Sequence, residues 1–209
     1  MTVHRLGHDR LRVHADFLPG NKQFRDFPAA DITRIHVLLG DGDDQALIGG
    51  DILLPVIIEG GAGNDLLYGG GGNNLLLGGD GLDLLMGGRG RNILIGGRGS
   101  DLLLGGGGED LLIAGSTVYD SGDAGLAHED ALLAILAEWG SSRDYATRIE
   151  NLKGTGAGER ANGSFFLDGE TVEDDLALDL LIGGSGMDWF LAEPGKDLLL
   201  GRKANERVN

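Results

Sequence analysis

Carboxylate and amide side chains at a fixed interval are the residues of this chain best suited to chemistry. From Gly60 the sequence can be written as six consecutive rows of nine residues, and the sixth position of each row is Asp or Asn. Side-chain oxygens of this kind, together with main-chain carbonyls, are the ligands that Ca²⁺ takes, about six to eight at a time. The regular spacing therefore predicts a series of similar cation sites. The six side chains are Asp65, Asn74, Asp83, Asn92, Asp101 and Asp110.

Glycines at positions 1, 2 and 4 of every row fit the same chemistry. A residue without Cβ lets the backbone enter conformations with φ > 0 and turn its carbonyl oxygens toward an ion. Position 8 is Leu in every row, so each row joins a polar turn to an apolar anchor. The glycines that we predict to contribute metal ligands are Gly61, Gly63, Gly79, Gly81, Gly97 and Gly99.

Rows such as GGAGNDLLY (60–68) and GGRGSDLLL (96–104) resemble the RTX family, also called hemolysin-type calcium-binding repeats. The pattern of that family is G-G-x-G-x-D-x-U-x, where U is a large apolar residue. It resumes at 183–191, where Asp188 is a further predicted ligand, and more weakly at 192–200. The resemblance implies Ca²⁺ as the bound ion and a parallel β-roll, in which each row forms a turn and a short strand and two rows complete one coil.

With two nine-residue rows per coil, side chains that share an edge of the roll would lie 18 residues apart. The odd rows then place three carboxylates on one edge, whereas the even rows place two amides and one carboxylate on the other. Because ligand charge sets much of calcium affinity, we predict that calcium fills the Asp edge first. The alternative is that Asn is simply favoured in left-handed turns and that its amide oxygen still coordinates. Asp179 and Asp197, also 18 apart, could share an edge.

The complete pattern predicts a mainly β fold, namely a parallel β-roll with a helical-hairpin insertion and a β-rich N-terminal cap. Alternating or apolar segments at 11–17, 32–39 and 52–58 predict strands. We assign them to a cap that hides the open end of the solenoid. The expected divisions are the cap at 1–59, the roll at 60–113, the insertion at 114–173, and the returning rows with the C-terminal end at 174–209.

The segment 114–173 breaks the nine-residue register. Apolar residues at helical spacing predict one helix over 123–139 and a second over 143–152, and a strand is predicted over 164–167. Polar residues that can accept main-chain N–H groups precede both helices. The predicted caps are Ser121 or Asp123 for the first helix and Ser142 for the second.

Apolar residues also occupy positions 7 and 9 of the rows. In a roll, position 8 points inward while positions 7 and 9 point outward. Both outer faces would therefore carry more apolar surface than a soluble monomer normally exposes. One interpretation is that the N-terminal segment and the helical insertion cover these faces. The other is self-association, or packing against other domains of a longer chain.

Composition narrows the classes of function. The chain has 33 acidic and 17 basic residues and a formal net charge of −16, which disfavours nucleic acid and anionic membranes as partners and favours cations. The chain has no Cys, which excludes disulfides and thiolate metal sites. No HExxH, G-x-S-x-G or Walker A motif occurs, so we expect no enzyme. No apolar stretch is long enough to predict a membrane-spanning segment.

The N-terminal sequence shows no cleavable signal peptide. The resemblance nevertheless implies an exported bacterial protein that stays unfolded in low cytosolic calcium and folds on calcium binding outside the cell. We therefore expect an extracellular or cell-surface location. Two alternatives stay open: a surface adhesion or assembly module that binds a partner through its apolar faces or its insertion, and the accessory tail of a secreted enzyme whose catalytic domain lies upstream.

Overall fold

The computed structural model of the chain describes residues 1–15, 23–120 and 126–209. Within these ranges the protein is mainly β, with two facing sheets of mostly parallel strands and two helices on the outside of one sheet. The helices are α1 (Leu126–Trp139) and α2 (Tyr145–Leu152), and a 3₁₀ turn covers Ala29–Asp31. The strands are β1 (Thr2–Leu6), β2 (Arg10–His14), β3 (Phe24–Pro28), β4 (Ile35–Asp41), β5 (Gln45–Ile48), β6 (Val56–Ala62), β7 (Leu66–Tyr68), β8 (Asn74–Asp80), β9 (Leu84–Gly88), β10 (Ile93–Arg98), β11 (Leu102–Gly106), β12 (Leu111–Ile113), β13 (Ser116–Thr117), β14 (Val172–Glu173), β15 (Leu180–Gly184), β16 (Trp189–Leu191), β17 (Leu198–Leu200) and β18 (Arg207–Val208).

Each complete coil of the roll contributes one strand to each of the two sheets. The nine-stranded sheet has the order β17-β15-β11-β9-β7-β5-β1-β2-β3, and the seven-stranded sheet has the order β18-β16-β12-β10-β8-β6-β4. Strands of neighbouring coils pair in parallel, with Leu66 opposite Leu84 and Leu75 opposite Ile93. This offset of two rows confirms the predicted parallel β-roll.

The leucines at position 8 form the core between the two sheets. All six are fully buried, as the repeat predicts, and Leu181 and Phe190 continue the two inward rows beyond the insertion. Burying each such side chain contributes roughly 1.5–3 kcal/mol, so these two rows of leucines are a main source of stability. The six leucines are Leu67, Leu76, Leu85, Leu94, Leu103 and Leu112.

The insertion interrupts the roll without shifting its register. β11 pairs with β15, and β12 pairs with β16, in the same parallel arrangement as the earlier coils. Asp101 and Asp179, which face each other across the insertion, are 78 residues apart in sequence, whereas Asp65 and Asp83 are 18 residues apart. The difference leaves 60 residues for the insertion. At the base of the insertion, β13 and β14 pair antiparallel.

Both helices of the insertion contribute to the cover on the outer face of the seven-stranded sheet. The sheet residues at positions 7 and 9 are buried in one cluster with the apolar residues of the helices. On this face, therefore, the cover is intramolecular. The cluster includes Leu75, Leu77, Ile93, Ile95, Leu111 and Ile113 from the sheet, and Leu132, Ile135, Leu136, Trp139, Ile149 and Leu152 from the helices.

The outer face of the nine-stranded sheet has no such cover within the described residues. The expectation that the N-terminal segment lies over this face is wrong, because β1, β2 and β3 instead extend the same sheet sideways through main-chain pairing to β5. The position 7 and 9 residues of β7, β9, β11 and β15 are consequently only half-buried. On β17, Leu198 and Leu200 are 49% and 42% exposed.

The second helix begins two residues later than its sequence pattern predicts. Its cap is Asp144 rather than Ser142, because the Asp144 carboxylate accepts the N–H of Thr147 at 3.0 Å. The caps predicted for the first helix, at Ser121 and Asp123, lie outside the described residues.

The strand predicted over 164–167 is absent from the described structure. The side-chain amide of Asn162 donates to the carbonyl of Phe165 at 2.6 Å, and the N–H of Phe165 donates to the carbonyl of Asn162. This local pairing satisfies the main chain in a turn, while Leu167 is buried in the helical cluster. The apolar character of the segment thus reflects packing of a turn and not a strand.

Candidate metal centre

Sixth-position side chains stack into a column along one edge of the roll, which we call the first column. The Oδ1 atom of each Asp accepts the main-chain N–H of the sixth-position residue in the preceding coil. Asp83 accepts from Asp65, and Asp101 accepts from Asp83, both at 2.8 Å. Beyond the insertion, Asp179 accepts from Asp101 at 2.7 Å, and Asp197 accepts from Asp179 at 3.1 Å. Asp65 in turn accepts from Asp44 at 2.8 Å, so the first column contains six carboxylates.

The opposite edge carries a second column that mixes amides and carboxylates. Asn92 accepts the N–H of Asn74 through its amide oxygen at 3.1 Å. Asp110 accepts from Asn92, and Asp188 accepts from Asp110, both at 2.8 Å. Glu206 occupies the next step of this column, since β16 pairs with β18 in the same register. The two edges thus differ in ligand type, as the sequence predicts.

The other oxygen of most of these carboxylates is buried without a hydrogen-bond partner. The six residues concerned are at most 3% exposed. An ionised carboxylate oxygen that lacks water and any donor is costly, by several kcal/mol. Each such oxygen therefore requires a proton or a cation. The oxygens are Oδ2 of Asp65, Asp83, Asp101, Asp110, Asp179 and Asp188.

Main-chain carbonyl oxygens lie close to these carboxylate oxygens. A Cβ added to Gly60 would meet both Oδ2 of Asp65 and the carbonyl oxygen of Gly78 in the next coil. A Cβ added to Gly78 would likewise meet Oδ2 of Asp83 and the carbonyl oxygen of Gly96. The Oδ2 atoms thus lie beside acceptors from a neighbouring coil, and this set of carboxylate and carbonyl oxygens fits Ca²⁺.

The six glycines predicted as ligands all have positive φ, between +104° and +140°. Their carbonyl oxygens lie against the following coil, since a Cβ on Gly79 would strike the oxygen of Gly61. The carbonyl oxygens of Gly78 and Gly96, at position 1 of their rows, also lie beside the carboxylates, although these two glycines are not among the predicted ligands. The position of Asp179 next to Asp101 was also missed, since the row 174–182 lacks the three glycines of the repeat.

Burial raises the pKa of six carboxylates in the two columns, among them Asp65. In the first column the pKa of Asp83 rises to about 6, that of Asp101 to about 8 and that of Asp179 to about 7. In the second column the pKa of Asp110 rises to about 8 and that of Asp188 to about 6. Main-chain hydrogen bonds oppose each rise, while nearby carboxylates increase it. In the absence of a cation, the columns therefore hold protons that ordinary aspartates lose.

The metal-free protein is accordingly expected to lose stability as the pH rises from about 4 to about 8. The folded chain binds these protons more tightly than the unfolded chain, so each group reduces the free energy of unfolding by up to about 1.4 kcal/mol per pH unit until its folded pKa is passed. Urea unfolding in metal-free buffer at several pH values measures this slope. Calcium at saturating concentration should weaken the trend, and a flat metal-free profile would contradict the raised pKa values.

Nowhere in the described residues do three or more His, Cys, Asp or Glu side chains form a cluster that could hold a metal ion. Each step of a column offers no more than two carboxylates from adjacent coils, as with Asp83 and Asp101. Main-chain oxygens must therefore complete the coordination shell.

These features define a class of protein: a solenoid of nine-residue rows whose edges bring carboxylate and carbonyl oxygens together. The family model described as RTX calcium-binding nonapeptide repeat (4 copies) matches residues 57–85, 86–116 and 178–208. The chain thus carries RTX calcium-binding nonapeptide repeats on both sides of its insertion, as the resemblance indicated. Searches of curated proteins and of solved structures each found no significant match. No helix in the described ranges is long and apolar enough to cross a membrane.

Proposed function

We propose that this chain is a calcium-binding β-roll module whose folding is coupled to calcium. The observation that carries the proposal is the row of buried Oδ2 atoms that have no hydrogen-bond partner and lie next to main-chain oxygens. A divalent ion between adjacent coils would satisfy these oxygens and neutralise their charge. The residues that would hold it in the first column are Asp65, Asp83, Asp101 and Asp179, with Gly78, Gly96 and Ala114 supplying carbonyl oxygens.

Coupling between metal and fold follows from the energetics of the repeats. Ordering a glycine-rich backbone costs roughly 1–2 kcal/mol per residue in conformational entropy. Two carboxylates about 4 Å apart repel by about 4 kcal/mol at an effective dielectric constant of 20. An ion that removes this repulsion binds only the folded coils, so its binding free energy becomes folding free energy.

An extracellular or cell-surface role follows from the same coupling. A chain that stays unfolded where calcium is scarce could be exported in that state and fold where calcium is abundant. Dissociation constants of about 10⁻⁴–10⁻³ M, typical of extracellular calcium modules, would place the transition between the two environments. In this role the chain acts by binding and folding rather than by catalysis, either alone or as the accessory tail of a secreted enzyme.

The test is to follow folding during a calcium titration. Far-UV circular dichroism of the whole chain in EDTA should show a partial loss of β structure and a lower midpoint of thermal unfolding, and calcium in the millimolar range should restore both. Isothermal titration calorimetry of the same samples gives the number of ions, and magnesium at equal concentration is the control for ionic strength. Identical spectra in EDTA and in calcium, with no heat of binding, would refute the proposal.

A second candidate function, assembly through the nine-stranded sheet, is favoured by the uncovered outer face of that sheet. Its residues at positions 7 and 9 match those that the helices bury on the opposite sheet. A second copy of the chain is the proposed partner, because the same rows are available on each copy. Sedimentation equilibrium at high protein concentration tests this candidate: Leu102→Ser combined with Leu104→Ser should abolish a dimer, and a monomeric parent chain excludes it.

A further inference from the structure

We propose that the side-chain amides of Asn74 and Asn92 take the place of a cation in the second column, so that its first coils need no calcium. This inference rests on the proposed calcium-binding function. It distinguishes the edge of the roll that depends on a bound ion from the steps in which side-chain amides join adjacent coils by hydrogen bonds.

Three oxygens surround the amide nitrogen of Asn92. Nδ2 donates to the carbonyl of Gly90 in its own row at 2.9 Å, to the carbonyl of Gly105 at 3.4 Å and to Oδ1 of Asp110 at 3.0 Å. The last two oxygens belong to the next coil. The amide therefore bridges two coils, because its nitrogen donates hydrogen bonds to oxygen atoms that would otherwise face one another.

One coil later, Oδ2 of Asp110 occupies the position that Nδ2 of Asn92 occupies in its own coil. A Cβ added to Gly87 would lie 2.6 Å from Nδ2 of Asn92 and 2.6 Å from the carbonyl oxygen of Gly105. A Cβ added to Gly105 would lie 2.6 Å from Oδ2 of Asp110 and 2.6 Å from the carbonyl oxygen of Gly183. The nitrogen has three partners there, whereas the oxygen has none.

Asn74 repeats this arrangement in the preceding coil. Its Nδ2 donates to the carbonyl of Gly72 at 2.7 Å, to the carbonyl of Gly87 at 3.0 Å and to the amide oxygen of Asn92 at 2.9 Å. All three partners are acceptors, so the hydrogen bonds themselves fix which end of the amide points inward. Two successive coils on this edge are thus joined without an ion.

The turns of the Asn rows differ as well. The fourth-position glycine of an Asp row, such as Gly99 or Gly108, has φ of +122° or +104°. The corresponding Gly72 and Gly90 are not among the residues with positive φ. Their carbonyls are instead the ones that accept from the amides. The backbone of these rows therefore adapts to an internal donor.

A lysine supplies positive charge at the far end of the second column. Nζ of Lys203 lies 2.6 Å from Oε1 of Glu206, 2.9 Å from the carbonyl oxygen of Gly184 and 3.8 Å from Oδ2 of Asp188. The step between Asp110 and Asp188 is then the part of this column that still pairs two carboxylates. Calcium dependence is concentrated on the first column and on that single step.

The experiment exchanges the two side-chain types in both directions. Asn92→Asp removes the donor and adds a carboxylate next to Asp110. The midpoint of thermal unfolding in EDTA should fall by about 2–12 °C, since an unsatisfied buried group costs about 1–3 kcal/mol and each kcal/mol shifts the midpoint by about 2–4 °C. In calcium, calorimetry should count about one additional ion. Asn205→Asp, at an exposed position, controls for the change in charge.

The reciprocal variant Asp83→Asn places an amide in the first column. Its midpoint of thermal unfolding in EDTA should rise, and it should bind at least one ion fewer than the parent chain. This variant tests the inference even if Asn92→Asp does not fold in EDTA. Unchanged midpoints in EDTA for both variants would overturn the inference. If the parent chain binds no calcium, the proposed function fails, while the EDTA measurements still test the amides.

Discussion

Gly81→Ala is expected to reduce the free energy of unfolding by about 3 kcal/mol or more, even in saturating calcium. Gly81 has φ of +140°, and a Cβ there would strike the carbonyl group of Gly63 in the preceding coil. The strained backbone costs about 1–3 kcal/mol and forced overpacking a similar amount. Because the atoms struck are main chain, relief requires the coils to move apart, which disrupts strand pairing. Urea unfolding followed by circular dichroism measures the loss.

Gly42→Ala is the matched control for this prediction. Gly42 occupies the fourth position of LGDGDDQAL (39–47), an incomplete row that precedes the six complete ones, and has φ of +116°, yet a Cβ added there meets nothing within 4 Å. The control therefore carries the backbone strain without the collision and should cost about 1–3 kcal/mol at most. Equal losses for the two variants would show that coil spacing does not explain the glycines of the repeat.

The repeat predicts the roll because each of its positions has one physical role. The leucine at position 8 is buried whichever sheet its strand joins, as Leu67 and Leu76 show. A constant row length keeps every sixth position at the same height on its edge, so the stacking of Asp65, Asp83 and Asp101 could be predicted from the spacing together with the two rows per coil that the family resemblance implies. These relations are local and periodic, and a single sequence is enough to reveal them.

Interactions between distant segments could not be predicted in this way. The stacking of Asp179 on Asp101 depends on the insertion returning the chain to the same edge, which no local pattern specifies. The N-terminal strands alternate in a way that predicts β structure, but alternation does not say whether they cover a sheet or extend it. The sequence likewise shows Asn at position 6, whereas only the three contacts of its Nδ2 atom reveal a donor surrounded by oxygens.

One buried arginine contributes several contacts to the junction between the insertion and the roll. Arg148 of α2 has no exposed side-chain surface and pairs with Glu109 of the roll. It also donates to the carbonyl of Trp139 at 2.8 Å and to that of Arg143 at 3.1 Å. Its guanidinium lies 4.7 Å from the centre of the Trp139 ring. A single side chain thus connects both helices to a turn of the roll, at the point where Trp139 Nε1 also donates to the carbonyl of Glu109.

Arg148→Met is therefore expected to lower the free energy of unfolding by about 3–5 kcal/mol, because it leaves the carbonyl groups of Trp139 and Arg143 short of donors and removes one of the two arginines that pair with Glu109. The two tryptophans of the chain, Trp139 and Trp189, are both buried, and the centres of their rings lie 6.1 Å apart across this junction. Their fluorescence should shift to longer wavelength at lower urea concentration than the change in circular dichroism of the roll. The variant would then show the insertion detaching before the coils unfold.

Arg98→Met is the control, since Arg98 is 77% exposed and its contact with Asp80 is 3.9 Å long. Exposed ion pairs of this kind contribute at most about 1 kcal/mol, so fluorescence and stability should stay close to those of the parent chain. If Arg148→Met behaves like this control, the apolar face of the helices and their other polar contacts hold the insertion without the arginine. If its fluorescence and circular dichroism change together, the insertion and the roll unfold as one unit, and the arginine stabilises the whole protein rather than the junction.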